Sequence, residues 1–429
     1  MKSINTQPSE QAVYIWNIVG SIANALLSVI VLMLVTRTLD GKQTDIFSIG
    51  WAISQLMVTI GTYQIRTYQA TDVKECFKFR QYLLFRIITV TIMLIISFIY
   101  VIAKKYDVYK SLIIFIICIF RAVDALADVY EGWFQQKERL DLAGKAVTGR
   151  IIIGIVCFGL TLFCTRNLLC ACMCLTFCYI ISFIVYDIRY TIVIEKLKKR
   201  DKWERGTKWF FKLAIEGLPI FINAFLMMAI SNTPKMVIDA AIENGGMEEG
   251  IQTVLSILFL PASVLTLVYI VFRPMLTRMA IMWTNGKIKE FIKIIIKLII
   301  CLLGMVILLL VGSSLMGIPV LSFIYAVDLS PYKRHLLIII LGGCFCTFSY
   351  VFDNALIIIR KQYILVFSYV VTWVYVGFVA EKMTDIWGVM GAALAYTTAM
   401  AVFFIITAVI FVVCFKNACK NNIKVKVKE

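Results

Sequence analysis

The chain alternates long apolar runs with short polar connections, and the runs are too long for strands or ordinary core helices. A bilayer core of about 30 Å takes about 20 apolar residues per helix. That rule predicts spans near 12–35, 44–65, 83–103, 111–131, 146–166, 168–188, 213–240, 251–272, 294–316, 335–359, 364–380 and 387–415. The first run, Ala12 to Val35, is longer than a secretory h-region and no small-residue cleavage site follows it, so it reads as a retained span. The pattern is that of an all-α polytopic membrane protein with about twelve transmembrane helices in two six-helix lobes. The lobes cover 1–195 and 213–415, with a basic amphipathic linker at 196–212 and a basic tail at 416–429.

Composition agrees: 61% of the 429 residues are apolar and 16% are charged, which excludes an ordinary soluble domain. The surplus of 43 Lys+Arg over 26 Asp+Glu gives +17. Most of that surplus marks topology. Basic residues favour the N-terminus, the even-numbered connections and the C-terminus over the odd-numbered connections by about three to one, which predicts that both termini are cytoplasmic. The linker, with its Lys/Arg run, Trp203, Trp209, Phe210 and Phe211, suits an interfacial helix on anionic lipid. Nucleic acid drops out as a partner. One histidine and 13 cysteines without a CxxC pair leave no metal or redox signature, and no cofactor is implied.

Charges inside the spans carry the functional signal, because each costs about 2.5–3.5 kcal/mol at a helix centre. Arg121, Asp124, Asp128, Glu131 and Gln135 in the fourth span follow at spacings of three and four, so all five share one helical face. Such a stripe should line a wet cavity or meet partner charges. A pair between Arg121 and Asp124 that merely fastens the bundle is the alternative. Arg66 and Arg273 end the second span of each half, and Asp128 and Asp353 occupy the fourth span of each half. Approximate half-to-half repetition of this kind is the trace of secondary transporters, whose sites lie between repeats. Arginine suits bidentate phosphate recognition, so Arg66 and Arg273 are candidate pyrophosphate ligands, and a topology anchor explains either one equally well.

The seventh span carries Glu216, Pro219, Asn223, Asn232, Pro234, Lys235 and Asp239. Pro219 and Pro234 are candidate hinges, with a static kink and interfacial Lys235 and Asp239 as the alternative. Asn17, Asn24 and Ser28 fit interhelical hydrogen bonding. Gly388, Gly391, Ala392, Ala393 and Ala395 fit close helix packing in the last span.

With these residues in view, the chain resembles the Wzx-type polysaccharide flippases of the multidrug/oligosaccharidyl-lipid/polysaccharide exporter superfamily, in the Gram-positive lipopolysaccharide-biosynthesis-protein branch. The resemblance runs over nearly the full length. Its carriers are Arg66 to Asp72, Asp128-Val129-Tyr130-Glu131-Gly132, Phe134-Gln135-Gln136, Arg139 to Gly144, Asn232-Thr233-Pro234-Lys235 with Asp239, Arg273-Pro274 and Gly388 to Ala393. It implies a MATE-like V-shaped pair of six-helix lobes in the bacterial cytoplasmic membrane. These would move an undecaprenyl-pyrophosphate-linked oligosaccharide outward by alternating access, alongside glycosyltransferases and a glycan polymerase. The mixed rather than cationic stripe in the fourth span departs from that pattern.

The reading that follows is a non-enzymatic flippase. Arg66, Arg121, Arg273, Gln69 and Gln135 would bind pyrophosphate or glycan, and Asp124, Asp128, Glu131, Glu216 and Asp353 would line the cavity or couple an ion. An ion-coupled multidrug or cation antiporter is the alternative, kept open by Asp124, Asp128, Asp353 and Glu216. A membrane-embedded polymerase or glycosyltransferase is disfavoured, because the longest connections are basic or short.

Overall fold

A computed structural model describes residues 8–72, 76–195, 208–271 and 273–426, with the side chains of 71, 195, 263–271, 273–274, 277, 362 and 419–426 outside that description. Every predicted span coincides with a helix, and no strand occurs among the described residues. Nine helices among them are long and apolar enough to cross a membrane. Their outward apolar side chains stay bare, as with Phe163, Leu308 and Phe323, which suits a lipid solvent. The chain divides into two compact units, Met1–Phe225 and Leu226–Glu429.

Unit 1 contains α1 (Glu10–Thr38), α2 (Gly41–Thr62), α3 (Ile65–Thr71), α4 (Phe79–Lys104), α5 (Val108–Gln136), α6 (Leu140–Thr165), α7 (Leu168–Ser182) and α8 (Arg189–Glu195). Four of these helices start where the sequence supplies a cap. Ser9, Asp40, Asp107 and Asn167 each accept a hydrogen bond from the backbone N–H three residues on, relieving an orphan donor of the first turn. Helices α1 and α6 pack closely where Gly144 meets the Trp16 carbonyl, leaving no room for a Cβ.

The predicted span 44–65 ends earlier than its hydropathy suggests. Helix α2 stops at Thr62, and Tyr63 and Gln64 both take the left-handed conformation, with φ of 45° and 51°, an uncommon state for side chains of this size. Tertiary contacts hold the break. The Tyr63 ring stacks on Phe221 at 4.5 Å and meets Phe85 edge-on at 5.2 Å, and its hydroxyl donates to the Ala214 carbonyl at 3.1 Å. The break redirects the chain into α3, which carries Arg66 and Gln69. A second irregularity follows α7, where Phe183–Ile188 winds as a π-helix before α8; such turns recur at functional sites.

The boundary between the units falls within α9 (Lys208–Glu243), which is continuous through both Pro219 and Pro234. Residues 196–207 of the predicted linker lie outside the described residues, and Lys208 to Lys212 already belong to α9. Unit 2 continues with α10 (Ile251–Val271), α11 (Arg273–Thr284), α12 (Ile288–Gly312), α13 (Ile318–Tyr325), α14 (Lys333–Ile358), α15 (Leu365–Trp387) and α16 (Val389–Lys426). A π-helical turn, Ser313–Gly317, joins α12 to α13. Ala392, Ala393 and Ala395 are fully buried on α16, so the small-residue face lies inside the packing.

Candidate functional site

The striped face of α5 is the organising element of unit 1. Its spacing of three and four puts Arg121, Asp124, Asp128 and Glu131 in one row, and neighbouring elements bring arginines to it. Asp128 is held by Arg66 of α3 at 3.1 Å and by Arg86 of α4 at 2.8 Å. Glu131 is held by Arg66 at 2.8 Å and by Arg150 of α6 at 2.7 Å. Arg150 also reaches Asp187, inside the π-helical segment, at 2.8 Å and Asp124 at 3.6 Å. Arg121 lies 3.4 Å from Asp124 and places its guanidinium 4.4 Å from the Trp51 ring centroid. Four arginines thus meet four carboxylates across five elements, and formal charge cancels within the cluster.

The cluster has a closed back and an open edge. The side chains of Arg86 and Asp187 are 0% exposed and that of Arg150 is 2% exposed, whereas those of Asp128, Asp124 and Arg66 are 22%, 28% and 33% exposed. At the back, Arg86 also donates to the Gly61 carbonyl at 3.1 Å. At the edge, Arg66 is the exposed cation, and two carboxylates already engage it. Bare Coulomb attraction of a free Arg66 for an anion is therefore not what this geometry offers; an incoming anion must compete with Asp128 and Glu131.

The remaining candidates of unit 1 divide by burial. Gln69 is fully enclosed and donates to the Val129 carbonyl at 3.1 Å, tying α3 to α5. Gly132 sits beneath it, where a Cβ would meet the Gln69 side chain at 2.5 Å. Gln135 is half-buried at the end of α5. Glu216 is half-buried on α9, hydrogen-bonded with the Tyr68 hydroxyl, and its Oε2 is buried without a partner. Beyond α3, Asp72 accepts hydrogen bonds from the Cys76 and Phe77 backbone N–H groups and the Tyr82 hydroxyl at 2.9–3.0 Å. Burial opposes ionisation there, but these donors outweigh it and hold the Asp72 carboxyl below the ordinary range.

Unit 2 holds its charges differently. Lys235, on α9, lies 4.8 Å from the Phe259 ring centroid and 3.5 Å from the Asn232 side-chain oxygen, with no ion pair among the described residues. Asp353, on α14, accepts from the Tyr369 hydroxyl at 2.7 Å, while its other oxygen is buried without a partner. Arg273 begins α11, and its side chain lies outside the described residues. Pro219 is exposed and Pro234 buried on an uninterrupted helix.

Arg150 and Asp187 escaped sequence reasoning because both fall at the ends of predicted spans, where charges pass as boundary markers. Arg86 falls within the predicted span 83–103 as a cation in an apolar run, yet nothing in the sequence pairs it with Asp128. Lys235, flagged among the polar residues of the seventh span, rests on an aromatic ring. The usable signal for all of them is an ionisable residue within an apolar run.

The architecture matches solved structures along almost its whole length. An inward-facing multidrug resistance MATE family transporter of the MOP superfamily superposes with a TM-score of 0.62 at 13% identity, covering 92% of this chain and 96% of that one. The fold is that of the MATE transporters. A mutant of the Vibrio cholerae MATE transporter VcmN gives 0.61 at 10% identity, covering 96% and 97%. A MOP superfamily transporter from Pyrococcus furiosus, described as having a binding pocket of reverse polarity, gives 0.57 at 11% identity, covering 95% of each. In sequence, neither a protein-family model nor a curated protein matches this chain. The MATE fold is therefore recognised here through tertiary structure.

Proposed function

We propose that this chain is a transporter that flips an undecaprenyl-pyrophosphate-linked oligosaccharide across the bacterial cytoplasmic membrane by alternating access. The observation that carries this reading is the placement of charge. In unit 1 each carboxylate of the stripe is engaged by arginine, which leaves little capacity for an organic cation. In unit 2, Lys235 forms no ion pair among the described residues and rests on the Phe259 ring. An uncompensated ammonium inside a span is costly unless something anionic visits it, and a pyrophosphate-bearing headgroup is such a visitor. Unaided, that headgroup would lose several kcal/mol for every polar group left unpaired in hydrocarbon.

In this cycle Lys235, with Arg273 at the start of α11, attracts the pyrophosphate. Arg66 exchanges Asp128 and Glu131 for it at the exposed edge of the cluster, and the buried back of the cluster holds α3 to α6 in register meanwhile. Arg121, Gln135 and the edge carboxylates Asp124 and Asp128 face the sugars, and bending of α9 at Pro219 and Pro234 reorients the helix. Both termini lie in the cytoplasm, glycosyltransferases supply the lipid-linked glycan and a polymerase consumes it.

Depletion of the protein should trap lipid-linked oligosaccharide on the inner leaflet, and Lys235→Met at equal protein level should reproduce the block. Unchanged glycan export in both cases overturns the proposal. The unpartnered oxygen of Asp353 favours a second reading, a cation antiporter. Efflux of a fluorescent cationic dye that is lost in Asp353→Asn and kept in Lys235→Met would select it.

A further inference from the structure

The outward face of α12, in unit 2, carries a pattern that the proposed transport cycle does not use. Lys289, Lys293, Lys297, Ile300, Gly304 and Ile307 follow at spacings of four, four, three, four and three, so they share one helical face. All of them are exposed, while Phe291, Leu298 and Leu302 bury the opposite side. The face is cationic over its first turns and apolar beyond. None of the three lysines forms an ion pair among the described residues, and Glu290, the one acid of α12, is engaged by Lys287 at 3.5 Å.

The change of character falls at a bilayer border. No charged residue occurs from Leu298 to Val327. The apolar helical run Ile288–Tyr325 has 38 residues, about 57 Å at 1.5 Å per residue, against a hydrocarbon core of about 30 Å. The surplus length puts the lysine turns outside the core, at the depth of lipid phosphates, with Lys297 at its edge. Gly304 is the second observation. A Cβ there would meet nothing within 4 Å, so no neighbour in the described protein calls for a glycine, a residue that weakens a helix interior. It leaves a notch in the bare apolar face about 10 Å along the helix from Lys297.

We propose that this face of α12 is a seat for an anionic phospholipid. The lipid phosphate lies among Lys289, Lys293 and Lys297, and an acyl chain runs over Ile300 into the notch at Gly304 and on to Ile307. Unpaired ammonium groups at this depth attract anionic over zwitterionic headgroups. The apolar continuation selects an anion that carries a chain over a free one. The seat is built entirely from unit 2 and is independent of which substrate the protein transports.

Native mass spectrometry of the full-length protein in detergent, titrated with dioleoyl phosphatidylglycerol or dioleoyl phosphatidylcholine, tests this. Retention of phosphatidylglycerol at least about tenfold tighter is expected. Lys289→Gln, Lys293→Gln and Lys297→Gln together should abolish that preference. Gly304→Phe, which fills the notch without changing charge, should weaken phosphatidylglycerol binding about threefold. Lys104→Gln with Lys105→Gln, exposed lysines at the end of α4, should leave the preference intact. The three α12 lysines are exposed, so their variants should fold, and an unchanged thermal midpoint checks it. Equal retention of the two lipids by the unmodified protein, or a preference that survives the triple variant, overturns the proposal. So does indifference to Gly304→Phe, an equal loss in the Lys104 and Lys105 variant, or displacement of the lipid by inorganic phosphate.

Discussion

Units 1 and 2 handle buried charge in opposite ways. Unit 1 gathers Arg66, Arg86, Arg121 and Arg150 against Asp124, Asp128, Glu131 and Asp187 until no net charge remains, with the tightest contacts at 2.7–2.8 Å. Unit 2 leaves Lys235 on an aromatic ring and Asp353 on a tyrosine hydroxyl. A charge with a buried partner fixes helices in register, and removing either member strands the other. A charge without one is a standing cost that only a visiting partner relieves. The difference suggests that unit 1 spends its ionisable residues on cohesion and unit 2 keeps them for exchange.

The sharpest way to break that comparison is Arg150→Met, which strips one partner each from Glu131, Asp187 and Asp124. A loss of about 3–5 kcal/mol is expected, read as a collapse of the thermal midpoint in detergent. A midpoint close to that of the unmodified protein would show that the cluster is not cohesive. Next in size is Arg86→Met, expected to cost about 3 kcal/mol because it leaves Asp128 facing the buried end of the cluster. Adding Asp128→Asn should restore about 1–2 kcal/mol of this, and additive losses in the double-mutant cycle would deny the coupling.

Asp72 gives a smaller effect with a pH signature. Its carboxyl is held below the ordinary value in the folded protein, so its stabilisation is complete above the unfolded pKa of about 3.9. That contribution fades as pH falls through the depressed folded value. Asp72→Asn should cost about 1–2 kcal/mol at neutral pH and flatten the acid limb of the stability curve; an unaltered acid limb counts against the assigned bonds. Smallest of all, Lys235→Met should change stability by less than about 1 kcal/mol, since it breaks no ion pair among the described residues. A loss as large as that of Arg150→Met would erase the contrast between the units.

Much of the fold was legible in the hydropathy pattern, because each apolar run is long enough to demand a helix whatever it packs against. The exceptions were local and tertiary in origin. The α2–α3 break at Tyr63 and Gln64 depends on Phe85, Ala214 and Phe221, which no window around residue 63 contains. The π-helical segment that carries Asp187 reads as plain apolar sequence. Of the site, the α5 stripe was visible as a row, since helical spacing alone places it. Its partners were not, and neither was the burial of Gln69, a candidate glycan ligand whose amide donates to the Val129 carbonyl.

The sequence by itself determined how many times the chain can cross a membrane, where its basic residues gather and that one helix carries a charged face. These follow from local rules of length, spacing and charge. Tertiary structure decided what the charged face meets. Arg66 lies 65 positions from Glu131, Arg86 lies 42 from Asp128, and Arg150 lies 37 from Asp187. Coulomb attraction in a low-dielectric interior acts over a few ångströms of space, not along the chain. Only the packing of α3, α4, α6 and the π-helical segment around α5 could show that the stripe is neutralised, while Lys235 meets no carboxylate among the described residues.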